Sequence, residues 1–188
     1  MGAALEFEKE KLIIGFIYST YENYERALGI MTDKFGPVDF ETEEFSFTNE
    51  FSNYYDEELG GEAKRKILSF ERLIDPTLQA DIKIFTNSVE ADFSVDGNRK
   101  INLDPGFISH GRLLLATTKK TGFRIPLKDG IYTELTLFYA RGAWQKLPWT
   151  YRDYQSERVQ SFLTKVRRRY LEQRKTEESL SEVYKTSY

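Results

Sequence analysis

The hydrophobic positions along the chain change period several times, and each change predicts a new element. Residues 11–19, KLIIGFIYS, are apolar on both alternating faces, the pattern of a strand covered on both sides and therefore interior to its sheet. From Ser19 the period turns helical. Ser19 with Glu22 reads as a capping box, Tyr24, Leu28, Met31 and Phe35 form one stripe, and Gly36-Pro37 stops the helix. Val38 to Thr48 is β-like at Phe40, Phe45 and Phe47, but its interleaved acids suit an edge strand that resists edge-to-edge pairing. Residues 50–61 read as a loop, and Lys66 to Ile74 as a further strand with Leu68, Phe70 and Ile74 inward. Asp75-Pro76 signals a second helix start, with the buried stripe Leu78, Ile82, Phe85, Val89 and Phe93. Asp96-Gly97 then turns the chain into a short strand, Lys100 to Leu103.

The order βαββαβ over 11–104 predicts an α+β fold with a ferredoxin-like core, to which a C-terminal β-hairpin and helix are added. Asp104-Pro105 repeats the helix-start signal, so 107–116 leans to a third helix, while Gly106, Gly111 and LLLATT leave a strand open across 107–118. The hairpin from Phe123 to Tyr139 has two registers. A two-residue Asp129-Gly130 loop would set charged side chains opposite apolar ones. A three-residue loop, Lys128-Asp129-Gly130, with Gly130 left-handed at a bulge, places Arg124 across from Glu134 and is the register expected. Its inner face is then Phe123, Ile125, Leu127, Ile131, Thr133, Leu135 and Leu137.

After Ser156 the helical period returns with Val159, Phe162, Val166 and Tyr170. No repeat or linker divides the chain. The expectation is one domain over 1–188: a tail at 1–10, the core at 11–104, a hairpin and aromatic connection at 105–155, a helix at 156–175, and polar residues 176–188 that fray.

Composition narrows the chemistry. The chain has 188 residues, no cysteine and one histidine, so disulfides, thiolate nucleophiles and Cys-ligated metal sites are excluded, and a reducing cytoplasm is the natural compartment. The longest apolar run, LIIGFIY from Leu12, is too short to span a membrane, and the acidic N-terminal segment is no secretory signal. A net charge of −3 gives no general pull toward nucleic acid. No metal site is expected, and no cofactor can be named.

That charge is unevenly sorted. Residues 39–62 carry nine acids and no base, whereas 99–128 carry seven bases against the single acid Asp104, a local charge of +6. Such sorting either pairs two parts of one fold or leaves a basic surface for an anion. The segment ATTKKTGFR offers Thr118, Lys119 and Arg124 as donors to a phosphate or carboxylate, with Arg112 nearby in sequence. Trp149 and Tyr151 offer a stacking platform. Candidate acid and base groups are Glu134, His110 and Asp104. Each has a plainer account: Lys119 as a helix-end charge, Arg124 with Glu134 as a structural pair, His110 as a surface or capping residue, Asp104 as an N-cap, and the aromatic rings as packing of a long connection.

The segments SFERLID (69–75), NLDPG (102–106), LLLATTK (113–119), RIPLKDGIYTELTLFY (124–139) and LPWTYRDY (147–154) resemble a bacterial family catalogued as domain of unknown function 4416. Some of its members are labelled GTP-binding proteins, and the resemblance implies no established activity or catalytic residue. A histidine often precedes the arginine in that family, whereas this chain has Phe123, which weakens histidine chemistry on the hairpin. No Gly-x-x-x-x-Gly-Lys-Ser/Thr loop occurs in the chain, so an ordinary P-loop GTPase is not expected. The leading expectation is binding of an anionic, phosphate-bearing small ligand, a class that includes nucleotides. The alternatives are a hydrolase or phosphoryl-transfer enzyme using acid residues, and a non-catalytic protein-interaction module.

Overall fold

A computed structural model describes the backbone of residues 4–186 and the side chains of residues 4–176. The expected fraying at 176–188 falls largely outside the described side chains. Strand β1 (Glu10–Tyr18) is followed by helix α1 (Tyr21–Phe35) and edge strand β2 (Val38–Glu41). Two-residue β3 (Phe45–Ser46), single-turn helices α2 (Phe47–Glu50) and α3 (Asp56–Leu59), and long β4 (Lys64–Ile74) come next. A 3-10 turn at Pro76–Leu78 leads into α4 (Gln79–Asp92). Then follow β5 (Ile101–Ile108), β6 (Arg112–Thr117), β7 (Ile125–Pro126), β8 (Tyr132–Ala140), β9 (Ala143–Lys146) and the long helix α5 (Glu157–Thr186).

This is a mixed α+β fold on one sheet of order β2-β4-β1-β5-β6-β8-β7, with β3 on β4 and β9 on β8. Every described strand pair is antiparallel, so the sheet does not combine parallel and antiparallel ladders. Interior β1 pairs with β4 on one side and β5 on the other, as its apolar pattern predicts. Its alternate residues feed two cores. Leu12, Ile14, Phe16 and Tyr18 pack beneath α1 and α4, while Ile13 packs beneath α5 with Val159, Phe162, Leu163 and Val166. Helices therefore cover both faces, which explains why β1 is apolar on both of them from Leu12 to Tyr18.

Several local expectations need correction. The cap of α1 is Thr20, whose hydroxyl accepts from Asn23 N, whereas Ser19 Oγ donates to Leu59 O. The C-terminal cap is Gly36 at φ 90, a left-handed conformation that glycine adopts without a Cβ penalty. Leu78, which the helical stripe would bury, is 44% exposed. No third helix follows Asp104-Pro105: the chain stays extended through Ile108 and returns as β6. Pro105 sits opposite Ile14, and pairing with β6 begins only at Gly106, so the missing proline N–H costs no bond in the β5–β6 ladder. Gly106 permits that ladder, since a Cβ there would stand 2.5 Å from Leu114 O.

In the hairpin, Ile125 opposes Thr133 and Pro126 opposes Tyr132, the register that sets Arg124 opposite Glu134. Gly130 has φ 76 and Asp129 φ 53, while Leu127 N donates to Ile131 O and Ile131 N to Lys128 O. The expected inner face is only half realised. Ile131, Thr133 and Leu137 are buried, but Phe123, Ile125 and Leu127, on or beside the edge strand β7, are exposed. The opposite face carries the buried contact between Arg124 and Glu134.

Candidate functional site

One end of the sheet opens into a cleft of about 140 Å³. Its floor is Arg65 of β4, which is only 2% exposed. The Arg65 guanidinium lies 3.1 Å from Asp104 Oδ2 on β5 and 3.0 Å from Asp153 Oδ2 in the turn before α5, and it donates to Tyr154 OH at 3.3 Å. Gly15 of β1 makes room for it, since a Cβ there would fall 2.8 Å from Arg65 Nη2. Burial, the largest influence on Arg65, works against its charge, but Asp153, Tyr154 and Asp104 together outweigh it and hold its pKa above the ordinary value.

The two carboxylates on Arg65 are driven apart. Burial raises Asp104, yet Arg65 and Lys83 outweigh it and leave its pKa below the ordinary value. For Asp153, burial dominates over the attraction of Arg65, and its pKa is raised. Burial likewise pushes the Tyr151 phenol up to about 12, and the Tyr55 and Tyr154 phenols are raised for the same reason. All three phenols stay protonated near neutral pH.

Four cations line the cleft, Arg65, Lys83, Arg99 and Lys119, against the two acids Asp104 and Asp153. Three of the four are engaged internally. Lys83 donates to Leu103 O at 2.8 Å and stands 3.6 Å from Glu90, while Arg99 contacts Glu58 at 2.6 Å and Glu90 at 2.9 Å. Lys119 is different: its Nζ lies 5.4 Å from the Tyr54 ring centroid and has no carboxylate partner among the described residues. Asn102 is 5% exposed, its Oδ1 accepts from Arg99, and its side chain helps hold the Asp104 carboxyl in its charged form.

The structure brings Asp104, Thr118, Lys119 and Tyr151 to this cleft. Arg124 stands behind its wall rather than in it. Its Nε donates to Glu134 Oε2 at 2.8 Å, its Nη1 to Lys119 O at 2.7 Å and its Nη2 to Tyr151 OH at 2.9 Å, so it clamps two segments of the wall. Trp149 lies outside the lining, stacked on Phe123 with ring centroids 4.6 Å apart and donating Nε1 to Leu135 O. His110 and Arg112 are not brought to the cleft. His110 lies in the β5–β6 turn, roughly 20 Å from Asp104 along an extended strand, and Arg112 opens β6 beside it. There Arg112 pairs with Glu10 at 2.6 Å. Asp104 is no N-cap, since it lies inside β5.

Arg65, Asp153, Tyr55, Arg99 and Asn102 were not singled out from the sequence. One signal was present: Arg65 alternates with Ala63 and Ile67 on one face near the start of β4, and a charge in that position requires a buried partner. The charge sorting largely resolves into internal pairs, with Glu58 on Arg99, Asp39 on Lys11, Glu41 on Lys66, Glu44 on Lys64 and Glu50 on Arg158. Among the described residues there is no cluster of three or more potential His, Asp or Glu metal ligands, and no helix is long and apolar enough to cross a membrane.

Over residues 8–170 the chain matches the family described as Domain of unknown function (DUF4416). No curated protein and no solved structure matches it.

Proposed function

The chain belongs to the DUF4416 family, and on that premise we propose that its cleft binds a small anion, the phosphate or carboxylate group of a metabolite. The observation that carries this reading is Lys119, a cleft cation with no carboxylate partner among the described residues. An ammonium group left without an internal carboxylate suits an anion oxygen, which accepts from it with the added gain of charge. Size sets the rest. A cavity of about 140 Å³ is close to one that holds a benzene-sized molecule, and well below the roughly 300 Å³ at which drug-sized ligands are enclosed. The cleft therefore takes an anionic head group. A nucleoside or sugar attached to it remains at the mouth, where Tyr54 and Tyr151 are exposed.

The same reading treats the chain as one domain on a ferredoxin-like core, supported by the strand order β2-β4-β1-β5 with α1 and α4 on a common face. The absence of cysteine suits a cytoplasmic location. A hydrolytic or phosphoryl-transfer activity using acid residues is the second reading; Asp104 and Asp153 are the cleft carboxylates, and the raised pKa of Asp153 suits proton transfer better than the lowered one of Asp104. The internal pairing of the acidic segment supports an interaction module less.

The experiment is a thermal-shift panel of inorganic phosphate, nucleoside monophosphates, sugar phosphates and organic acids on wild type and Lys119→Ala. A ligand specific to the native state at about 100 times its Kd stabilises by about 2.7 kcal/mol. A shift with at least one anion that Lys119→Ala removes is expected. An unresponsive wild type, or a shift unchanged by Lys119→Ala, overturns the assignment.

A further inference from the structure

Away from the cleft, an apolar groove of about 420 Å³ lies where the end of β4 meets the end of α1 and the start of α4. Phe35, Ile74, Ile82 and Phe85 line it, and Leu78 stands at its side, 44% exposed. Two cations, Lys34 and Arg72, also line it, and neither has a carboxylate partner among the described residues. The acid in the lining, Asp81, is taken by Lys128 at 2.7 Å. The groove is thus apolar within and positive at its rim.

A segment of complementary character precedes β1. Residues 4–9 form neither helix nor strand, and Leu5 and Phe7 are 85% and 71% exposed. Their two-residue spacing sets both side chains on one side of an extended chain. Glu6 lies between them and has no basic partner among the described residues. We propose that this arm docks in the groove of a second copy of the chain, with Leu5 and Phe7 inserted and Glu6 at the rim beside Lys34 and Arg72.

The topology favours mutual exchange. Glu10, where the arm joins the sheet, pairs with Ile74 of the groove, so arm root and groove share one end of the molecule. A two-fold axis at that end lets each arm reach the other's groove, and such an isologous contact closes at two copies. The arm does not serve its own groove. Glu8 is held by Arg174 of α5 at 2.6 Å, on the opposite face of the sheet from α1 and α4, which leads Leu5 and Phe7 away.

The test is sedimentation velocity of the full chain from low to high micromolar concentration. Wild type is expected to shift from monomer to dimer. Leu5→Glu with Phe7→Glu, and separately Leu78→Glu, each weaken the dimer by about tenfold or more, because the altered side chains are exposed in the monomer and leave its fold intact. Glu6→Arg and Arg72→Glu each weaken it, and the two combined restore it, an outcome that misfolding cannot imitate. A wild type monomeric throughout, as docking in its own groove would give, or a dimer indifferent to both arm and groove variants, overturns the proposal.

Discussion

Gly15 and Arg65 share one volume: a Cβ on the glycine of β1 would stand 2.8 Å from the guanidinium Nη2 and 3.0 Å from its central carbon. An arginine end can usually swing aside. This one is held by Asp104, Asp153 and Tyr154. Gly15→Ala should therefore destabilise the protein by about 1–3 kcal/mol, the range for overpacking a filled interior. Urea unfolding measures it, and an unchanged midpoint would show that Arg65 can retreat freely.

Opposite pKa directions at Asp104 and Asp153 give opposite pH effects. Asp104 is lowered, so its stabilisation is present above its unfolded value and is lost as pH falls through its folded value. Asp153 is raised, so its stabilisation is present below its unfolded value and is lost as pH rises through its folded value. Compared with wild type, Asp153→Asn should gain stability as pH rises toward neutral. Asp104→Asn should be less stable at neutral pH, with the deficit closing in acid. Unfolding free energies from about pH 3 to pH 8 decide this, and parallel curves for all three proteins would contradict the assignment.

Arg124 and Glu134 form a buried pair, with side chains 6% and 1% exposed. Truncating either partner strands the other, at a cost of about 3–5 kcal/mol. Arg124→Ala should show that loss and also loosen the Lys119 and Tyr151 segments it clamps, visible as faster amide exchange there. The double variant with Glu134→Ala should lose less than the sum of the two single variants. Simple additivity in a double-mutant cycle would mean the pair is not coupled.

Gly130 has φ 76 with nothing within 4 Å of a Cβ, so a larger residue meets conformational strain rather than a clash. Gly130→Val should lower stability by about 1–3 kcal/mol, since a β-branched residue resists positive φ. Gly130→Asn should be milder. Equal melting temperatures for Val and wild type would indicate that the loop can reshape.

What the sequence determined was local. Alternating or helical apolar periods marked β1, α1, β4, α4 and α5, because each must bury a fixed face, and pairing of charge with charge chose the hairpin register. Competing local signals failed where long-range pairing decided. Asp104-Pro105 looks like a helix start, but partners on both sides keep β5 extended, and β9 follows an Arg141-Gly142 turn with φ 54 and 81 whose strand pairs only because β8 is there. The cleft was least legible of all. Arg65, Asp104 and Asp153 are 39 and 49 residues apart in turn along the chain and meet only because β4 and β5 flank β1 while the turn before α5 closes over them. Their chemistry is set by burial and by one another, quantities that no single position in a sequence possesses.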